Sequence, residues 1–318
     1  MTDPFELFSK WVVYELIKLE PGSTLASSLE FFIYDSPKIL FLLFVMIFVM
    51  GILRTYLTQK TIRNLLSFKI PVLPNLLASS FGALTPFCSC SSIPIFIGFL
   101  EAGVSPGVAF SFLATSPLVN EYVAVLMLGF FGVEVTISYV VLGILLGTSI
   151  GLIIGKSSLR DELEDDLKLN KKQVKEQKFV SFVQRLSFGY TEAKTMLSKL
   201  WIWVILGVGV GAAIHGFVPE ETIESLLSAG GIFAVPLAVL VGIPIYANCS
   251  AVVPIAVALF QKGVPLGTAL AFMMATAALS LPEAIILRRV MKIRLLLLFF
   301  GLVAIGIVII GYVFDWFF

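Results

Sequence analysis

Charge is what this chain lacks most. Of its 318 residues, 14% are Asp, Glu, Lys or Arg and 58% are hydrophobic. A soluble domain carries about 25% charge, so an ordinary soluble globular protein is excluded. The formal net charge is +1, and no basic patch with interleaved aromatics points to nucleic acid. There is one histidine, His215. It ends an apolar run beside Gly216 and reads as interfacial, since no second histidine exists to share a metal. The three cysteines are odd in number and sit in apolar surroundings, which argues against an extracellular disulfide framework. A Walker A motif is absent, so the chain has no ATP drive of its own. No cofactor is implied. Short alternating strands are also missing, which excludes an outer-membrane barrel. Met1-Thr2-Asp3-Pro4 has no basic cluster, so insertion is expected to rest on the first span rather than on a cleaved signal.

What is present is a series of runs near the roughly 20 apolar residues that cross a bilayer. The fold class is therefore an all-α polytopic membrane protein. Residues 1–35 read as interfacial amphipathic helices, with Asp3 and Pro4 as a start signal and Pro21-Gly22 as a break. Residues 36–57 are the first clear span. Arg54, Lys60, Arg63 and Lys69 follow without an acid, which places that loop in the cytoplasm. Residues 71–101 are apolar around a polar island, 104–132 are interrupted near 115–121, and 134–155 form a clean span ending the first membrane unit, 36–155. Thirteen of the 23 residues 156–178 are charged. They form a solvated, cytoplasmic linker. The second unit, 179–318, repeats the sequence of elements: an amphipathic segment, a span at 197–217, an island in 231–262, an interrupted run at 264–287 and a last span at 295–314. The predicted location is the plasma (inner) membrane, multi-pass.

Shifting the chain by 160 brings the halves into register. Gly82 meets Gly242, Pro94 meets Pro254, Gly103 meets Gly263, Gly107 meets Gly267 and Gly151 meets Gly311. The loop after the first span holds four bases, whereas its counterpart at 218–230 holds Glu220, Glu221 and Glu224 and no base. Opposite charge on equivalent loops predicts two inverted-topology repeats. Parity of crossings then makes 71–101 and 231–262 re-entrant hairpins, each repeat having about three spans plus a hairpin. The alternative is four plus four full spans.

The hairpin tips carry Cys88, Ser89, Cys90, Ser91 and Ser92 on one side and Asn248, Cys249 and Ser250 on the other. The interruptions add Thr115, Ser116, Asn120, Thr276 and Ser280. Broken helices at mid-membrane are the usual substrate site in inverted-repeat transporters. Cys88, Cys90 and Cys249 are candidate ligands for a soft metal or metalloid. The plainer reading makes the thiols small packing residues and the hydroxyls partners for backbone groups freed at the prolines. Glu121 and Glu283 are the acids expected within the membrane, and proton coupling is the functional reading. Glu121 is preferred, because Glu283 has Arg288 close by in sequence. Glu101 and Glu134 read as interfacial, and Met46, Met50, Met273 and Met274 as packing.

Thr85-Pro86-Phe87-Cys88-Ser89-Cys90-Ser91-Ser92-Ile93-Pro94, then Gly103-Val104-Ser105 and Ala114-Thr115-Ser116-Pro117, resemble the ArsP-type permeases, a family of predicted permeases. Pro244-x-x-Ala247-Asn248-Cys249 and Gly263-Val264-Pro265-x-Gly267 are similar to it too. The resemblance implies an inner-membrane permease of about eight helices, not an enzyme. It also implies export of trivalent organoarsenicals, or copper or zinc efflux. The leading expectation is a secondary-active exporter of a thiophilic metal or (organo)metalloid, a homo-oligomer being compatible with it. A permease for another small organic or oxyanion solute is the rival. A membrane thiol-redox protein cycling Cys88, Cys90 and Cys249 is a third expectation, with no Cys-x-x-Cys to support it.

Overall fold

The computed structural model describes residues 4–20, 23–56, 72–84, 89–101, 103–163, 181–217, 231–245, 249–288 and 290–318. Helix dominates these residues. Helix α1 (Pro4–Lys10) passes into a π-helical turn (Trp11–Leu16), then come α2 (Thr24–Tyr56), α3 (Leu73–Leu84), α4 (Ser89–Glu101), α5 (Pro106–Leu118) and α6 (Glu121–Lys156). The second half contains α7 (Phe182–Phe217), α8 (Ala234–Gly242), α9 (Cys249–Gln261), α10 (Leu266–Ala278), α11 (Leu281–Leu287) and α12 (Ile293–Phe317). Among the described residues three stretches are long and apolar enough to cross a membrane: Val123–Lys156, Leu266–Leu287 and Ile293–Phe317.

The boundary drawn at residue 35 falls inside α2, and the segment starting at 179 joins the span at 197–217 as α7. Both helices are continuous, 33 and 36 residues long. Pro37 lies within α2 without ending it, because partners in a packed membrane protein compensate for the lost hydrogen bond. Continuity comes from packing along the whole length. Phe32 lies against Gly209, and a methyl on Gly189 would stand 2.8 Å from Phe48 O. Arg185 Nη1 donates to Thr55 O at 2.7 Å. Low numbers on α2 meet high numbers on α7, so the two helices are antiparallel. The π-helical turn packs on the start of α2, where Tyr14 donates to Glu30 at 2.6 Å. That bond holds the Tyr14 phenol above its usual pKa.

Helix α5 lies in a groove cut into α6. Gly107, Ser111, Thr115 and Val119 face Gly155, Gly151, Gly147 and Gly143 in antiparallel order. Four glycines at i, i+4 spacing let the backbones approach closely. A methyl on Gly107 would sit 2.7 Å from Gly151 O. Helix α3 crosses the same pair and carries a buried polar ladder. Asn75 Nδ2 donates to Ser111 Oγ at 2.9 Å, Ser79 Oγ to Ser111 O at 3.4 Å, and Thr148 Oγ1 lies 3.1 Å from Ser79 Oγ. Asn75 against Ser111 and Gly82 against Ser116 set α3 and α5 in the same sense.

The second half makes the corresponding crossings. α4 and α9, and likewise α5 and α10, begin and end 160 residues apart. Gly103 (φ 83) and Gly263 (φ 95) make the left-handed turns that follow α4 and α9. A side chain there would be strained, which accounts for glycine at both. A methyl on Gly82 would stand 3.1 and 3.2 Å from Phe112 O and Ser116 N, and one on Gly242 the same two distances from Phe272 O and Thr276 N. The chemistry of the crossings differs. The positions matching Asn75, Ser79, Ser111 and Thr148 are Val235, Val239, Ala271 and Val308. Helix α10 is instead capped from α12: Gly267 N–H donates to Asp315 Oδ1 at 2.6 Å. Its own cap position, Pro265, supplies no side-chain bond. Asp315→Ala is expected to cost about 1 kcal/mol, the usual size of a helix cap, with Asp315→Asn in between. Thermal unfolding in detergent would read this as a fall in Tm of about 2–4 °C.

Candidate functional site

Both interrupted runs are broken helices. α5 ends at Leu118. Val119 (φ −132, ψ 112) and Asn120 (φ −132, ψ 164) are extended, and α6 restarts at Glu121. Asn120 Oδ1 accepts from Val123 N–H at 2.8 Å and caps the new helix. The Tyr139 hydroxyl donates to Leu118 O at the end of the old one. α10 likewise ends at Ala278, Ser280 (φ −60, ψ 144) is extended, and α11 begins at Leu281 with Pro282 in its first turn. Proline suits that first turn, where its missing N–H has no helical partner.

Each break lies against the segment that leads to an island. In the first half the end of α3 meets the end of α5: a methyl on Gly82 would be 3.2 Å from Ser116 N and 3.4 Å from Thr115 Cβ. The chain re-enters helix at Ser89. In the second half Gly242 holds the matching place on Thr276, and Leu281 N–H donates to Ile243 O at 3.1 Å. That hydrogen bond ties the restart of the broken helix to the strand of backbone preceding 246–248.

Ser92, Thr115, Ser116, Asn120, Thr276 and Ser280 are all buried. Thr115 Oγ1 and Thr276 Oγ1 donate back to Ser111 O and Phe272 O, both at 2.9 Å. Their protons are thus used within their own helices, and Thr115 Oγ1 lies against Gly147 of α6. Ser89, Cys90 and Ser91 lie in the first turn of α4, and Cys249 and Ser250 in the first turn of α9. Cys88 and Asn248 lie outside the described residues. The three-thiol ligand set contains Cys88. Among the described residues no group of three or more His, Cys, Asp or Glu could hold a metal ion.

The two acids separate. Glu283 is 2% exposed in the first turn of α11, whereas Glu121 is exposed in the first turn of α6. Of the two acids, Glu283 is thus the one enclosed by the protein. Helix rotation decides this, and the position of a break says nothing about rotation. A third acid is buried that no sequence motif marks. Asp35 is 3% exposed within α2, beside Pro37. Its signal was a carboxylate adjoining the first apolar run. Gly103-Val104-Ser105-Pro106-Gly107 also matches Gly-x-Ser-x-Gly, the pattern of hydrolase nucleophiles. Here it joins two helices, and Ser105 is exposed at the start of α5, so the strand-to-helix elbow that activates such a serine is missing.

A family model described as a predicted permease, ArsP_1, matches residues 24–316. A UPF0718 protein of Methanocaldococcus jannaschii is 30% identical over 122 residues. That alignment covers 38% of this chain and 33% of the relative, so the chain spans about a third of the length of the curated relative it matches. No solved structure matches it.

Proposed function

Because the chain belongs to the predicted permease family ArsP_1, we propose that it is a secondary-active exporter working by alternating access between two inverted repeats, 36–155 and 179–318. A permease is a membrane protein that moves a small molecule rather than transforming it, and the finer reading builds on that. The observation that carries it is how counterparts meet. α2 and α7, 160 residues apart in register, are antiparallel along membrane-length helices. Leu146 packs against Gly306, its own counterpart. A residue touches its own equivalent only near a two-fold axis, and antiparallel counterparts put that axis in the membrane plane.

The re-entrant reading of 71–101 and 231–262 has support of the same kind. α3 and α4 have 12 and 13 residues, about 20 Å each, against a hydrocarbon core of about 30 Å. α3 runs with α5, and α4 turns back onto α5 through Gly103. Lys156 and Arg185 flank the linker 156–178 at the end of α6 and the start of α7, and Arg294 at the start of α12 lies 3.9 Å from Glu162 on the linker's side. The positive-inside rule assigns that side to the cytoplasm.

At the island tips and breaks, Cys88, Cys90 and Cys249 receive the substrate, assisted by Ser89, Ser91, Ser92, Thr115, Ser116, Asn120, Asn248, Ser250, Thr276 and Ser280. Thiolates favour a trivalent organoarsenical or a similarly soft ion. Glu283 is the coupling acid, ahead of Glu121. The test is the triple variant Cys88→Ser, Cys90→Ser, Cys249→Ser in a host stripped of arsenical efflux. Resistance to methylarsenite is expected to fall at least about tenfold, the effect of losing ~1.4 kcal/mol of binding. Unchanged resistance and accumulation would remove the thiols from the site and favour a solute held by hydroxyls and helix ends.

A further inference from the structure

The start of the charged linker is built into the fold. After α6, Ser157 Oγ accepts from Leu159 N–H at 3.2 Å, and Ser158–Asp161 form one 3-10 turn. The chain then pairs with the elbow between α11 and α12. Leu163 and Met291 form an antiparallel bridge. Lys292 N–H donates to Glu162 O at 2.9 Å, and Arg294 Nη1 lies 3.9 Å from Glu162 Oε1. Leu163, Val290 and Met291 are buried. So short a pairing is marginal alone, and the buried side chains are what hold it.

The elbow leads directly to the site. α11 has seven residues, about 10 Å of helix. It carries Glu283, packs along α7 and touches α4. At its far end Leu281 N–H is bonded to Ile243 O. A shift of the elbow therefore reaches the second island through less than two turns of helix. In the first half the matching turn is Gly132 (φ 81, ψ 179), inside α6. The surrounding crossings also differ in their resistance to sliding. Asn75, Ser79, Ser111 and Thr148 interlock by hydrogen bonds, whereas Val235, Val239, Ala271 and Val308 have none to break.

We infer that residues 157–163 form a strap that holds the α11–α12 elbow and thereby fixes α11 and its bond to Ile243, so that release of the strap loosens the broken helix of the second half. Its bearing on transport rests on reading the second island as the site, but its test needs no substrate. Lys292 has φ −68 and ψ 154, a conformation proline adopts, and Met291 before it pairs in the antiparallel bridge with Leu163, outside the helical geometry that a following proline disfavours. Lys292→Pro thus removes the N–H given to Glu162 together with the charge, and Lys292→Ala removes the charge alone. Hydrogen exchange is measured on the purified full chain in detergent. With Lys292→Pro, exchange across 157–163 and across Leu281–Leu287 is expected to quicken about fivefold, the change one ordinary hydrogen bond produces. Lys292→Ala is expected to stay near wild type. Equal behaviour of the two variants overturns the inference, as does quickening confined to 157–163. Should Lys292→Pro not fold, Leu163→Ala loosens the same strap from its other side. The inference then requires α11 to quicken and fails if α11 does not.

Discussion

Gly151→Val is expected to leave no folded protein. A methyl at this position would overlap Ser111 Oγ and the backbone oxygen of Gly107, and would stand 2.9 Å from Asn75 Nδ2. Three helices meet at that point, and one obstacle is main chain that cannot rotate away. Overpacking in a well-packed core commonly costs about 1–3 kcal/mol. Valine here adds the loss of the Asn75–Ser111 bond, leaving buried polar groups without partners at about 1–3 kcal/mol more. The sum is a large share of the roughly 5–15 kcal/mol that holds a folded chain together. Gly98→Val is the control, since nothing lies within 4 Å of a methyl there. Size-exclusion profiles in mild detergent should show a monodisperse peak for Gly98→Val and none for Gly151→Val. Matching profiles would mean that the α5–α6 groove is looser than its four glycines indicate.

The features that local chemistry controls were legible in the sequence. The breaks at 119–120 and 279–280 follow Pro117 and precede Pro282, and Gly103 and Gly263 mark turns that other residues would strain. The offset of 160 read from identities recurs in the bounds of α4 and α9 and of α5 and α10, and Gly82 and Gly242 both sit where a side chain would meet backbone. The lengths of α2 and α7 were not readable. Their amphipathic and apolar stretches look like separate elements, and only the pairing of the two helices makes each continuous. The ladder at Asn75, Ser79, Ser111 and Thr148 was missed for a different reason. Matching the halves by what they share hides the positions where they differ, and these four polar residues face apolar counterparts. The groove of Gly143, Gly147, Gly151 and Gly155 lay in plain view at i, i+4 spacing, but its partner helix could not be named without the fold.

Glu283→Gln is expected to abolish proton-driven transport, while Glu121→Gln leaves it within about threefold. An ionisable group buried within a membrane is costly to keep, and Glu283 is 2% exposed. Position gives it a use. It lies in the first turn of α11, where the helix dipole favours negative charge, two residues beyond the bond that ties Leu281 to Ile243. Charge placed there bears directly on the backbone leading to the second island. Glu121 has the same place in α6 but faces outward, where water or lipid headgroups screen it. Glutamine keeps the volume and the hydrogen-bonding shape of Glu283 and removes only its titration. Proteoliposomes with an imposed pH gradient separate the possibilities, using methylarsenite as the probe. Gradient-driven accumulation should fall about a hundredfold in Glu283→Gln, the scale on which a positioned proton carrier contributes. Counterflow at equal pH should persist, since binding and alternation remain. Accumulation that survives would take Glu283 out of the coupling. Loss of counterflow as well would make it a binding or packing residue, and either result returns attention to Asp35, the other buried acid of the described chain.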